Sequence, residues 1–546
     1  MAIIGIDAGG TNTDGVLLSE NGLVSSVKVP STPNDVAGIK EVLKSLKGEA
    51  ESNSTVIDRV VIGTTLILNS ALKGEMGKCA CLLIPGPGLN PSLAEAGDLN
   101  RVVGGYIDHR GRKVEELDLE GVKNFRDEAG RQVETYAVVG KFSVRNPVLE
   151  DEAANMLNGD GKTISRGHEV SSDLRFPIRA STTVLNAKSK PIFEGFASDI
   201  EDVISELGID APLYFIKSDG AMLSREMVSQ VPSVTIKSGP AVSTLGLFAL
   251  TGAPNTITID IGGTTTDIGL ISDGEPEIED KLKIAGFKTP FSSIKSADVA
   301  LGGDSHVEIE QGEIKIRERR GQSAAFGGDH PTVTDALHVL GEFVQGDRKR
   351  SEEAMNGLAG ETGLDVEELS IEVVNKFSQQ VSQETQDFLK EHGKLDNKKE
   401  LTILGGGVLS RYLLPRIAHN LGHPYVVPHH AEVAGAVGCA VSRVSLKTGI
   451  HMDTAQGVMT VNGVPTEVEK GKRFSESELM DLAREEAKKV SQNAGASHAA
   501  SEDVEIKSMR YFNVVEMIRV SGQISDIEAQ VKPGISSRVN VEKLRR

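Results

Sequence analysis

The chain has 546 residues, enough for about three to four domains with sizeable cores, and its 39% hydrophobic and 25% charged residues are the ordinary globular mix. Acidic residues outnumber basic ones 78 to 59, and the resulting net charge of −19 argues against a general nucleic-acid or anionic-membrane binder. Three Cys exclude a disulfide scaffold and point to a reducing compartment.

The start, MAIIGIDAGG, has no basic, apolar leader, and no run reaches the ~18 apolar residues of a membrane span. A cytoplasmic protein is expected. A β-rich run, Ala2–Ile6, leads into IDAGGTNTDGVLLS at 6–19, and residues 259–272 read IDIGGTTTDIGLIS, identical at nine of fourteen positions. Each copy reads as strand, Gly-rich turn, strand and then a second turn (Glu20-Asn21-Gly22; Ser272-Asp273-Gly274), which is a β-hairpin and not a strand-to-helix phosphate loop.

The residue types suit a polyphosphate. Paired glycines let backbone N–H groups approach an anion, Thr hydroxyls add donors, and an Asp at a strand end suits a hydrated Mg²⁺. Asp7 and Asp260 are therefore assigned to Mg²⁺ through water. Gly9, Gly10, Thr11, Asn12 and Thr13 are expected on one side of the phosphates, and Gly262, Gly263, Thr264, Thr265 and Thr266 on the other. Asp14 and Asp267 close the motifs, either as catalytic groups or as hydrogen-bond partners of the turns themselves.

Further along, Thr64, Thr65 and Asn69 are candidate substrate contacts, with Thr65 alternatively the N-cap of LILNSALK. Cys79 and Cys81 share one face of a strand-like CACLLI and read as core. His168-Glu169 has no paired metal motif and reads as a contact between domains. Arg179, Thr182, Thr183 and Asn186 form a polar helix start, with Arg179 and Thr182 taken as substrate residues. Helix 193–207 and strand 212–217 lead to Ser238 and Gly239, a helix N-terminus and a natural anion site. Residues 348–397 read as a solvated helical insert. Leu401–Leu404 is a buried strand whose Gly405, Gly406 and Gly407 precede a helix over 410–421 and are expected to face adenosine. His429-His430 reads as loop, ahead of a small-residue helix over 431–443 that contains a packed Cys439.

After 446 the composition changes. A hairpin turns at Asn462-Gly463, an amphipathic helix covers 475–492, a flexible link covers 493–501, and strands are expected at 504–509, 514–520 and 524–531. The closing RVNVEKLRR reads as disordered.

The two hairpins and the glycine strand resemble the motifs of the actin, Hsp70 and sugar-kinase ATPase superfamily. Within it, Gly63-Thr64-Thr65 with Asn69, the 142–150 stretch, SRGHEV, RASTTVLN, SGPA at 238–241 and PTVTDA at 331–336 resemble the hydantoinase/oxoprolinase family, A (alpha) subunit type. In place of that family's Cys-containing PGPACYG stretch the chain has GQSAAFGGDH at 321–330.

The resemblance implies an α/β fold with two duplicated actin-like (ribonuclease H-like) domains around a nucleotide cleft. These are expected at 1–190 and 191–445, with a small α+β domain at 446–546. It implies an ATP-dependent, Mg²⁺-using enzyme that phosphorylates the carbonyl oxygen of a cyclic amide such as 5-oxoproline or a hydantoin for ring opening. A B-type partner subunit and an oligomeric assembly are implied with it, without nucleic acid or membrane. Alternatives are a ketone carboxylase subunit using the same phosphorylation step, and an Hsp70- or actin-like ATPase acting as a partner-binding module.

Overall fold

The computed structural model describes residues 2–31, 35–394, 401–495 and 503–545. The first sheet has the order Met222–Ser224, Leu213–Ile216, Ile57–Thr64, Ala2–Ala8, Asn12–Ser19, Gly22–Pro30. Ala2–Ala8 pairs antiparallel with Asn12–Ser19 and parallel with Ile57–Thr64. It is covered on both faces, which is why it reads as a continuous apolar run instead of an alternation.

The second sheet repeats the plan. Thr256–Ile261 pairs antiparallel with Thr266–Ser272 and parallel with Thr402–Gly406. Between the sheets lie two small-residue helices, Ser238–Thr251 and Ala434–Val441. They pack backbone to backbone: a Cβ on Gly246 would fall 1.8 Å from the Ala434 carbonyl oxygen, and one on Gly438 1.9 Å from that of Val242. The small-residue stretch expected over 431–443 is thus a 3₁₀ turn, Ala431–Val433, followed by the helix proper.

Several expected boundaries move. Leu213–Ile216 pairs parallel with Ile57–Thr64, so the first sheet draws in strands from beyond residue 190. A separate four-stranded parallel sheet, order Thr163–Arg166, Thr135–Gly140, Cys79–Ile84, Leu99–Val102, has a core of its own around Phe125 and Tyr136. The polar start at 179–186 and the helix at 193–207 are one 31-residue helix, Phe176–Glu206, with Pro191 inside it. Its first half packs on Cys79 and Cys81, and its second half, through Phe193 and Phe196, on the first sheet. Burial pushes the Cys79 thiol up to about 12, so it stays protonated and acts as core, as expected.

The insert is not a solvated appendage. Helices Arg348–Thr362 and Val366–Glu391 bury Met355, Leu369, Val373, Phe377 and Val381 in the second core, and their charges occupy the outer face. Residues 395–397 of the expected insert lie outside the described residues.

The C-terminal unit is a five-stranded antiparallel sheet with helix Glu476–Asn493 against it. Three expected strands are two, Val504–Glu516 and Arg519–Val531, because the chain reverses only once, at Met517 with φ +55°. Most of the expected link, from residue 496 on, lies outside the described residues. The basic tail is ordered up to Arg545. Leu544 is buried, Lys543 donates to the Asn21 amide oxygen (2.9 Å) and Arg545 to the Ala249 carbonyl (3.2 Å).

Candidate active site

The two matched turns close with the same hydrogen bond, Gly9 N to the Asn12 carbonyl (3.1 Å) and Gly262 N to that of Thr265 (2.9 Å). They meet tip to tip: the Thr11 and Thr264 hydroxyls, 253 residues apart, are hydrogen-bonded at 2.9 Å. A Cβ on Gly10 would meet nothing within 4 Å, and Gly10 has no positive φ. Neither packing nor backbone conformation explains that glycine, and the open space over it is where a ligand would approach bare N–H groups. Thr13 and Thr266 are buried behind the tips, with the Thr266 hydroxyl donating to the Leu301 carbonyl (2.7 Å).

The register sets the carboxylates. Asp7 stands opposite Asp14, and Asp260 opposite Asp267, so each hairpin carries two acids on one face at its loop end. The Asp7 carboxylate lies over Gly63 and against Gly435, where a Cβ would fall 2.1 Å from Oδ2. Asp260 lies over Gly406, where a Cβ would fall 2.8 Å from Oδ1, and accepts a hydrogen bond from Ser243. Gly63 and Gly406 thus hold equivalent places on the third strand of each sheet, an extension of the repeat that the sequence does not show.

Burial raises Asp7 to about 8, reinforced by Asp14 and Asp260. Burial also raises Asp14, to about 6, against the pull of Lys28 at 2.6 Å. Asp260 is raised by burial despite the Ser243 hydrogen bond. Asp267 is pushed well up by burial and then by Asp298, its cross-strand neighbour. Such crowding of carboxylates suits a divalent cation. Among the described residues no three His, Cys, Asp or Glu side chains can ligate one ion together. The fit is therefore to an ion that keeps its waters and takes phosphate oxygens, the habit of Mg²⁺.

Other expected site residues divide into two groups. Thr64, Thr65, Asn69, Ser238 and Gly239 come together. Ser238 Oγ donates to the Thr64 carbonyl (3.0 Å), Asn69 Nδ2 donates to Thr65 Oγ1 (3.1 Å), and Gly239 is near the Thr65 methyl. Thr65 occupies the N-cap position without a side-chain cap bond, and it is Thr64 Oγ1 that accepts from Leu66 N (3.1 Å).

Arg179 and Thr182 are elsewhere. Both are fully buried; Arg179 donates to the Gly140, Lys141 and Asp173 carbonyls, and Thr182 to that of Ile178 (2.7 Å), so neither reaches the loops. Gly405 is buried against Leu414 and Ser410 and does not face open space. Gly407, at φ +81°, makes the turn beside Asp260. His168 pairs with the buried Glu150 (2.5 Å) and abuts Gly463 of the C-terminal unit, which is a contact between domains.

Sequence reasoning missed Lys28, Ser243, Asp298 and Arg319. Arg319 Nη1 donates to Thr264 Oγ1 (3.2 Å) and Thr11 Oγ1 (3.3 Å). Lys28 could have been found, since it faces Asp14 across the hairpin that turns at Glu20-Asn21-Gly22, and Ser243 follows the SGPA stretch. Asp298 and Arg319 have no motif around them and come here by non-local pairing and packing.

Two family models describe this chain: hydantoinase/oxoprolinase N-terminal region over residues 3–161 and hydantoinase/oxoprolinase over 179–448. The chain belongs to the hydantoinase/oxoprolinase family. Its similarity to a caprolactamase subunit alpha of Pseudomonas jessenii is 26% identity over 493 residues, 81% of this chain and 70% of that one. The crystal structure of the ATP-dependent caprolactamase from that organism superposes with TM-score 0.70 at 20% identity, covering 97% of this chain and 87% of the other. A nucleotide-free acetone carboxylase structure superposes with TM-score 0.72 at 18% identity, covering 98% and 88%. These two structures show a shared fold over nearly the whole chain, C-terminal unit included. No described helix is long and apolar enough to cross a membrane.

Proposed function

We propose that the chain is the ATP-dependent, phosphorylating subunit of a cyclic-amide hydrolase. The observation that carries this reading is the pair of matched loops meeting at Thr11 and Thr264, with four carboxylates behind them and open space over Gly10. Family membership and a relative named caprolactamase subunit alpha support it.

Amide resonance makes a lactam carbonyl a poor electrophile, and phosphorylating its oxygen removes that resonance. The oxygen lone pair attacks the γ-phosphorus in line, the bond from phosphorus to the bridging oxygen breaks, and ADP leaves with that electron pair. Water then adds to the carbon and the C–N bond breaks, with the nitrogen taking a proton. A second water hydrolyses the resulting acyl phosphate to carboxylate and phosphate. We assign the water steps to a B-type partner subunit.

Phosphoryl transfer needs positioning and charge neutralisation more than covalent catalysis. The loop N–H groups and Thr hydroxyls hold the phosphates. Thr65 Oγ1 and Asn69 Nδ2, both half-buried beside Ser238 and Gly239, orient the amide. Mg²⁺, held by Asp7 and Asp260 through water, would neutralise the bridging oxygens. We place its action in the cytoplasm, a reading that the three free, buried thiols support.

The test is ADP release from the full chain with Mg-ATP and a panel of 5-oxoproline, hydantoins, caprolactam and small ketones. One cyclic amide should raise turnover at least ~10-fold over basal. Stimulation by a ketone alone would move the chain to the carboxylase reading. Equal turnover with every compound, also with the B-type partner added, would reject both.

A further inference from the structure

The loop tips are bridged by a cation from a third segment. Hairpin Ser305–Glu310/Glu313–Arg319 ends at Arg319, whose Nη1 lies within 3.3 Å of both Thr11 and Thr264 hydroxyls. Its Nε donates to the Gly321 carbonyl (2.9 Å) and lies 3.5 Å from Asp304 Oδ2. Asp304 is in turn fixed to the second loop, its N–H donating to the Gly263 carbonyl at 2.8 Å. Other basic groups near the carboxylates are occupied: Lys28 is held by Asp14 (2.6 Å) and Lys237 by the Ser296 carbonyl (3.1 Å). Arg319 is anchored at one end and aims its fork at the junction of the two loops, with a side-chain exposure of 22%.

We propose that Arg319 is the receptor for the terminal phosphate of ATP, and that its bond to Thr11 and Thr264 holds the loops shut until that phosphate replaces it. This rests on the ATP-dependent reading above. A guanidinium is always charged and its planar fork matches two phosphate oxygens. Hydroxyl oxygens are poor substitutes, because they are neutral and also need to donate. At 2.9 Å the Thr11 and Thr264 oxygens leave no room for a phosphate between them. A phosphate reaching both loops must therefore part the hydroxyls, which then donate to it while Nη1 turns from them and, with Nη2, donates to its oxygens. A nucleotide ending at the β-phosphate leaves the clasp intact, so Arg319 would discriminate triphosphate from diphosphate.

The experiment is calorimetric titration of the full chain with a non-hydrolysable Mg-ATP analogue and with Mg-ADP, for wild type, R319Q and R319K. We expect R319Q to weaken the triphosphate at least ~10-fold, the scale of a lost charge-assisted hydrogen bond, with ADP changed less than ~3-fold. R319K keeps the charge without the fork and should fall between. Equal loss for both nucleotides would show that Arg319 only shapes the loops, and no loss for either would remove it from the site; each overturns the inference. Wild type binding neither nucleotide would instead reject the ATP-dependent reading itself. Unfolding midpoints of the two variants, read by circular dichroism, separate lost binding from lost fold.

Discussion

The two hairpins share turn, register and third-strand glycine, but they differ in what faces their outer acid. Asp14 has Lys28 at 2.6 Å; Asp267 has another carboxylate, Asp298, directly across the strand pair. On the first side the cation sits on the outer acid itself, whereas on the second Lys237 reaches Asp298 (3.7 Å) and leaves Asp267 facing a carboxylate. Asp14 is raised only to about 6, whereas Asp267 is pushed well above the carboxylate range. The repeat keeps the turn and the strand register the same on both sides, while the partners of the outer acids have diverged.

The largest expected effect tests whether the inner acids are equivalent despite this. Asp7→Asn and Asp260→Asn keep shape and remove charge, and each should lower substrate-stimulated ADP release at least ~10³-fold. A variant that retains turnover removes that Asp from Mg²⁺ binding. The next effect reads the raised carboxylates without nucleotide. Asp7, held at about 8, binds a proton in the folded chain that the unfolded chain releases near pH 4. The stability that this proton confers is present below about pH 4 and is lost as pH rises toward about 8. The thermal midpoint should therefore drop between pH 5 and 8, on the order of 5 °C, and Mg-ATP should flatten the drop. Asp267→Asn should raise the midpoint at pH 8, and Asp14→Asn, which strands Lys28, should not. The reverse order would contradict the asymmetry.

How much of this was legible depends on sequence distance. The hairpins and the facing of Asp7 with Asp14 follow from a Gly-rich turn between alternating runs, since a strand pair has a period of two. The equivalence of Gly63 with Gly406 does not, because each joins its hairpin through a parallel pairing that crosses one or more helices. Arg319 reaches Thr11 across 308 residues with no motif around it. Pro191 and a polar beginning disguised one continuous helix, and charge on the outer face of Val366–Glu391 hid the spacing of Leu369, Val373 and Phe377 beneath it. The tail misled for the opposite reason: its basic residues are the ones that hydrogen-bond back onto the first sheet and the Ser238–Thr251 helix, around a single buried Leu544.

The smallest effect separates ligand space from packing at matched glycines. Gly10 and Gly263 occupy the same place in the two loops, and both have ordinary φ. A Cβ at Gly10 meets nothing, whereas one at Gly263 falls 3.0 Å from Asp304 Oδ2 and from the Thr11 hydroxyl and methyl. Gly10→Ala should therefore leave the unfolding midpoint within about 1 °C, with a slight gain from reduced freedom of the unfolded chain. Gly263→Ala should cost about 1 kcal/mol, because Thr11 and Asp304 must both shift. Nucleotide affinity should fall in both, about 10-fold, because the Gly10 methyl takes the open space over the bare N–H groups and the Gly263 methyl displaces Thr11 and Asp304 from the junction of the loops. If Gly10→Ala binds Mg-ATP as wild type does, the open space over the first loop is not where the phosphates lie, and the grip belongs to the second loop and Arg319 alone.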